Sequence, residues 1–236
     1  MPEPLDPAAH WPVDVPLRTG ILLFDGVEPL DAIGPAQVLW SLSTARGRIE
    51  AFAPIEVHLV AETAEPVRAG HGLVVHPTTT YAEVGDLDVL IVPGGSGNDP
   101  DVVVPASDPA AGRRYQVGHR PTTDFVARQA AVAQVTASVC TGTFILAAAG
   151  LLAGRAGNTH WSARDELVAY MAHRGEPFRL EIERVVDDGT IVTGGGVSSG
   201  IDVALHIVDR LLGPSCHAAA SAIIERETPG VTDPTG

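Results

Sequence analysis

The chain has 236 residues, 45% hydrophobic and 19% charged, enough to fill the core of one α/β domain. Its 15 Lys and Arg oppose 29 Asp and Glu, a net charge of −14 that excludes nucleic-acid backbones and anionic membrane surfaces as partners and leaves a small molecule or a second copy of the chain. Two cysteines in this length make no disulfide framework, which predicts free thiols in a reducing, cytoplasmic compartment.

The first 16 residues hold five prolines and read as an extended arm or a disordered tail. They show neither the basic nor the apolar region of a signal peptide. "LRTGILLF" (Leu17–Phe24) is a continuous apolar run, as expected of a strand buried on both faces. A turn at Gly26 follows, and a helix is predicted around Pro35. "PIEVHLVA" predicts a second strand, "VRAGHGLVVHP" a bent hairpin, and "DVLIVPGGSG" (Asp88–Gly97) a third buried strand ending in a glycine loop. Residues 99–123 form a polar stretch longer than the usual connection of about 4–6 residues, and so read as an insertion.

A helix over Asp124–Ala133, a short strand over Val135–Val139, a turn at Cys140 and a long apolar helix come next. The apolar run Phe144–Ala153 is far short of the roughly 20 residues needed to span a bilayer. "SARDELVAYMAHRG" predicts an amphipathic helix capped by Ser162 and stopped by Gly175. A hairpin turning at Asp188-Gly189 and two closing helices complete the domain. Strands alternating with helices imply an α/β fold, a mostly parallel sheet sandwiched by helices. The expected organisation is an arm (1–16), one α/β domain (17–227, with the insertion 99–123) and a tail (228–236).

Cys140 carries the chemical interest. A small residue at an abrupt strand-to-helix turn presents its side chain at the carboxyl edge of the sheet, where open α/β folds bind ligands. The unpaired N–H groups and dipole of the following helix would favour a thiolate there. Gly142 lets the backbone pass closely. Read locally, Asp31 is a residue at a helix N-terminus, a place that stabilises a carboxylate. The nine histidines show no His-x-x-x-His spacing, so neither a metal nor a cofactor is expected.

Four segments, "ILLFDGVEPLDAIGPAQVLW", "DVLIVPGG", "SVCTGTFILAAAGLLAGRAGNTHW" and "VTGGGVSSGIDVALHIV", resemble in order the signatures of the DJ-1/PfpI superfamily, nearest its isocyanide hydratase (isonitrile hydratase) branch. The likeness spans about residues 17–213. It implies a flavodoxin-like fold related to the class I glutamine amidotransferases and a homodimer. By position, Cys140 matches the nucleophile and Asp31 the acidic residue that contacts it. The N–H groups of Gly95 and Thr141 match the anion-stabilising pocket. Gly94, Gly142, His160 and Ser198 complete the candidate substrate-binding set, with His160 more readily read as structural than as a base.

The implied activity is cysteine-dependent hydration of an isocyanide to an N-substituted formamide. A carboxyl kept protonated by an apolar pocket would supply the proton. The alternatives are a specialised biosynthetic or glyoxalase-like enzyme of the same superfamily, and a non-catalytic small-molecule sensor like the sensing domains of AraC-type regulators. Amidotransferase chemistry is set aside because no His has Glu two residues on. Cys216 reads as a bystander, His206 as a packed or hydrogen-bonded core residue, Trp40 and Trp161 as packing residues, and Arg113-Arg114 as solvated.

Overall fold

The computed structural model describes residues 10–45, 52–95 and 115–226. In chain order the elements are β1 (Leu17–Leu22), α1 (Pro29–Ala45), β2 (Ile55–Ala61), β3 (Val67–Arg68), β4 (Val74–Val75), β5 (Thr79–Thr80), β6 (Val89–Val92), α2 (Tyr115–Gly118), α3 (Arg120–Ala130), β7 (Val135–Ser138), α4 (Thr143–Ala148), β8 (Arg155–Gly157), α5 (Arg164–His173), β9 (Phe178–Leu180), β10 (Val185–Asp188), β11 (Ile191–Gly194), α6 (Ser199–Leu212) and α7 (Pro214–Ile223). Seven strands form one sheet in the order β10-β11-β7-β6-β1-β2-β5. Every pairing is parallel except β10 with β11.

The sheet explains its own sequence. β6 and β11 are buried at every position, because helices cover both faces and no side chain meets water. Helices α1, α6 and α7 pack together on one side, and α3 and α4 on the other. Close helix contacts come from small residues: a Cβ on Gly200 would lie 3.1 Å from the Pro35 ring, and one on Gly34 would lie 3.4 Å from Ile201. Among the described residues no helix is long and apolar enough to cross a membrane.

The chain leaves β1 toward β2 on one side and returns to β6 on the other. The C-terminal ends of β1 and β6 therefore flank a topological switch point, the place where such sheets hold their sites. β7 lies next to β6, so the Cys140 turn opens onto the same edge.

Several boundaries differ from expectation. α1 begins at Pro29, so Pro35 lies inside it and Asp31 in its first turn. The insertion's last part is ordered, as α2 and the start of α3. Pro121 sits at the beginning of α3, and Thr122 and Gln116 are buried in a mutual hydrogen bond of 2.8 Å. The rest of the insertion, with Arg113-Arg114, and the tail 228–236 lie outside the described residues. So do arm residues 1–9, whereas Trp11 donates its backbone N–H to Leu211 at 2.7 Å and packs on the core. α4 is only six residues long. Ser162 lies inside a short 3₁₀ turn, Trp161–Ala163, ahead of α5, and the cap is the His160 side chain. Trp161 is 72% exposed and is no packing residue. His206 is half-exposed and bonded to Asp187 at 2.6 Å rather than in the core.

Candidate active site

Three connections meet at the sheet edge, one each after β1, β6 and β7. The last is the sharpest. Val139 is still extended, and Cys140 then takes φ 56°, a left-handed conformation costing a non-glycine residue about 1–3 kcal/mol. A 3₁₀ turn, Cys140–Gly142, feeds α4. Gly142 is required: a Cβ there would overlap the Val92 carbonyl oxygen and lie 2.7 Å from that of Pro93. The turn thus runs against the end of β6.

The β6 loop is equally tight. A Cβ on Gly94 would lie 2.5 Å from Thr141 Oγ1, 2.6 Å from Thr141 N and 3.0 Å from Asp31 Oδ2. One on Gly95 would overlap the Gly26 carbonyl oxygen. The absent side chain at Gly94 therefore lets Thr141 and Asp31 approach one point, and that at Gly95 lets the Gly26–Glu28 backbone pass close by.

Asp31 is fully buried. Its Oδ2 accepts the Gly94 N–H at 2.9 Å, while Oδ1 is buried without a hydrogen-bond partner among the described residues. Burial pushes this carboxyl from its ordinary 3.8 up to about 7; the Gly94 N–H opposes the rise, nearby Glu28 adds to it, and the Cys140 thiol opposes it. The site is thus a carboxyl that titrates near neutral pH beside a thiol.

Cys140 is 7% exposed. Burial, then the Asp31 carboxylate, push its thiol up to about 12, against the pull of the Thr141 N–H and hydroxyl. The expectation of a depressed thiol pKa is therefore corrected. The dipole of a six-residue helix is outweighed by burial and a facing carboxylate, so the resting sulfur holds its proton.

The other candidate residues divide. Thr141 presents its N–H and hydroxyl to the sulfur. Gly95 does not match the anion-pocket role, since its N–H donates to Thr141 Oγ1 at 3.1 Å. Gly94 is the neighbouring donor, and it serves Asp31. His160 Nδ1 is taken by Ser162, at 2.8 Å from the hydroxyl and 3.3 Å from the N–H, and the ring lies tilted on Trp161. It makes no hydrogen bond to Cys140 or Asp31 among the described residues.

Ser198 is not a pocket hydroxyl. It is exposed and accepts from Arg184 at 2.9 Å, beside the Arg184–Asp202 ion pair. Its neighbour Ser199 is the buried one, because α6 begins there and turns it toward Gly194. Cys216 is buried in the α6–α7 layer, away from these residues. An apolar cavity of about 580 Å³ lies along α1, between Leu30, Ile33, Val38, Ile201 and Ile224, and does not include Cys140.

Sequence reading missed the buried polar layer behind the turn, formed by Ser138, Thr143, Asn158, Thr159 and Thr193. Its signal was available as hydroxyl residues inside otherwise apolar strands, "VTAS" and "IVTG".

Comparison with known proteins establishes the family. The DJ-1/PfpI family profile matches residues 18–210. An isonitrile hydratase of Pseudomonas putida is 39% identical over 197 residues, 84% of this chain and 73% of the relative. The transcriptional regulator GbdR of Pseudomonas aeruginosa is 26% identical over 87% of this chain, which spans half the regulator's length. Among solved structures, a ThiJ/PfpI family protein from Pseudomonas syringae superposes with TM-score 0.72 at 28% identity, over 97% of this chain and 82% of that one. With the matched segment running from β1 into α6, the chain belongs to the DJ-1/PfpI family.

Proposed function

We propose that the chain hydrates an isocyanide to an N-substituted formamide, with Cys140 as nucleophile and Asp31 as proton carrier. One juxtaposition carries the reading: the buried Cys140 thiol lies against the fully buried Asp31 carboxyl, and burial raises the pKa of both. Sequence identity of 39% to an isonitrile hydratase supports the substrate class.

The terminal carbon of R–N≡C accepts a soft nucleophile and must gain a proton. Asp31 as carboxylate takes the thiol proton as the Cys140 sulfur bonds to that carbon, and delivers the same proton to the carbon. The product is a thioimidate, R–N=CH–S–Cys140. The first transfer is uphill, because the thiol holds its proton more tightly than the carboxyl, and it is eased as it proceeds because it removes the carboxylate charge that opposes the thiolate. Thr141 N–H and hydroxyl hold the developing charge on sulfur.

Water then adds to the carbon. Asp31 takes one of its protons and passes it to nitrogen, giving R–NH–CH(OH)–S–Cys140. The hydroxyl proton returns through Asp31 to the departing sulfur as the carbonyl forms. R–NH–CHO leaves and the thiol is restored, with one water consumed.

The test is to incubate the purified protein with alkyl and aryl isocyanides, and separately with 2-oxoaldehydes, following products by NMR. The formamide is expected from wild type, none from Cys140→Ala, and a loss of at least about 100-fold in Asp31→Asn. Consumption of the oxoaldehyde alone would move the reading to a glyoxalase-like activity. Isocyanide binding without turnover would move it to sensing.

A further inference from the structure

The carbonyl of Cys140 points away from the thiol, into the buried polar layer. Thr159 Oγ1 donates to it at 2.9 Å, and Thr143 Oγ1 lies 3.3 Å from it. The two contacts are unequal. Thr143 has one hydroxyl proton and a nearer acceptor in the Asn158 carbonyl, at 2.8 Å. Thr159 is therefore the principal donor to the Cys140 carbonyl.

Thr159 is itself held. Its N–H donates to Asn158 Oδ1 at 2.8 Å, and the Asn158 N–H donates to Thr193 Oγ1 on β11 at 2.8 Å. Asn158 Nδ2 reaches the Glu183 carbonyl at 2.7 Å. Asn158, Thr159, Thr143 and Thr193 are at most 1% exposed, so water cannot replace these bonds. The layer ties the cysteine turn to the neighbouring strand.

We propose that Thr159 is a positioning residue for the nucleophile: its hydroxyl holds the Cys140 carbonyl and so keeps the left-handed turn aiming the thiol at Asp31. The carbonyl carbon and Cβ leave the same Cα. Anchoring one on the buried side sets the direction of the other. Left-handed backbone persists at a cysteine only where its surroundings over-determine it, and the glycine loop in front bonds the Thr141 hydroxyl rather than the cysteine backbone. Gly142 permits the turn; Thr159 grips it.

The catalytic part of this inference rests on the isocyanide reading, and the experiment separates the two. Thr159→Val keeps shape and loses the hydroxyl, whereas Thr159→Ser keeps the hydroxyl and loses a methyl. In the full chain, each variant is assayed for isocyanide kcat and KM. Alkylation of Cys140 by iodoacetamide is followed against pH by peptide mass spectrometry. The valine variant should lose on the order of 10-fold in kcat at unchanged KM. Its alkylation profile should move to lower pH, because a thiol turned from Asp31 loses the carboxylate that holds its proton. Serine should restore both.

A valine variant with wild-type kcat and alkylation profile overturns the proposal. So does equal impairment of valine and serine, which would assign the effect to packing. Should valine fail to fold, Thr159→Ala against Thr159→Ser makes the same comparison. If the wild type turns over no isocyanide, the alkylation profiles still decide the role of Thr159, while the functional reading falls alone.

Discussion

Asp31→Asn should stabilise the protein at alkaline pH while removing its proposed activity. Asparagine keeps the shape of the carboxyl and the oxygen that accepts the Gly94 N–H, but it cannot ionise. In the wild type, burial raises the Asp31 carboxyl from 3.8 to about 7, so the folded state binds this proton more tightly than the unfolded chain. Stability therefore declines as pH rises from about 4 to about 7, and the loss is complete above that range. The full difference corresponds to about 4 kcal/mol, of which about 2 to 3 kcal/mol falls between pH 5 and 8. Cys140 stays protonated in the fold across this range, its thiol standing at about 12. Urea unfolding of wild type and variant at pH 5, 6.5 and 8 isolates the effect, because every other titrating group cancels in the difference. The variant should gain about 2 to 3 kcal/mol on the wild type over that interval. Parallel pH dependence of the two proteins would refute the argument, since it would mean that Asp31 ionises in the fold as an ordinary carboxylate does.

The same variant should speed alkylation of Cys140 at pH 8 by about 10-fold or more, since losing a facing carboxylate lowers the thiol pKa by roughly one unit or more; an unchanged rate would separate the two groups. Gly142→Ala should cost more than about 2 kcal/mol and shift the turn, because the new methyl meets the carbonyl oxygens of Val92 and Pro93; thermal unfolding and Cys140 labelling check this. Ser198→Ala should leave kcat/KM for an isocyanide within about twofold, because that hydroxyl serves the exposed Arg184. A larger loss would return Ser198 to the pocket.

The parallel strands were legible because burial on both faces leaves a continuous apolar run, as in "VLIV" of β6. Elements without that signature were not. β5 is two threonines on the sheet edge, and β8 and β9 are three residues each in a separate pair. The polar start of α3 read as loop, since "RPTT" carries no apolar period until Phe125 and Val126. The cysteine turn and the Asp31 segment were each recognisable from local pattern. Their meeting was visible only through the order of the motifs, since Gly94 and Asp31 are 63 residues apart and Gly95 and Thr141 are 46 apart.

The mistaken expectation for the thiol has a plain physical origin. A helix N-terminus is a local feature and favours a thiolate, but solvation and a carboxylate from another segment act through space and prevail. At Gly95 and Ser198 the local pattern could not show that the N–H of one serves the Thr141 hydroxyl and the hydroxyl of the other serves Arg184.

What marks the place independently of any likeness is a concentration of locally unfavourable choices. A cysteine stands in left-handed backbone, a carboxyl oxygen is buried without a partner, and Pro35 removes the N–H that would bond the Asp31 carbonyl in α1. Each is destabilising, and each belongs to Cys140, to Asp31 or to the helix that carries Asp31. Selection for stability alone would replace the first with glycine, the second with asparagine or an apolar residue, and the third with alanine. Their joint presence is intelligible if the carboxyl must hold and release a proton beside the sulfur, because that demands burial and an unsatisfied oxygen beside a strained turn.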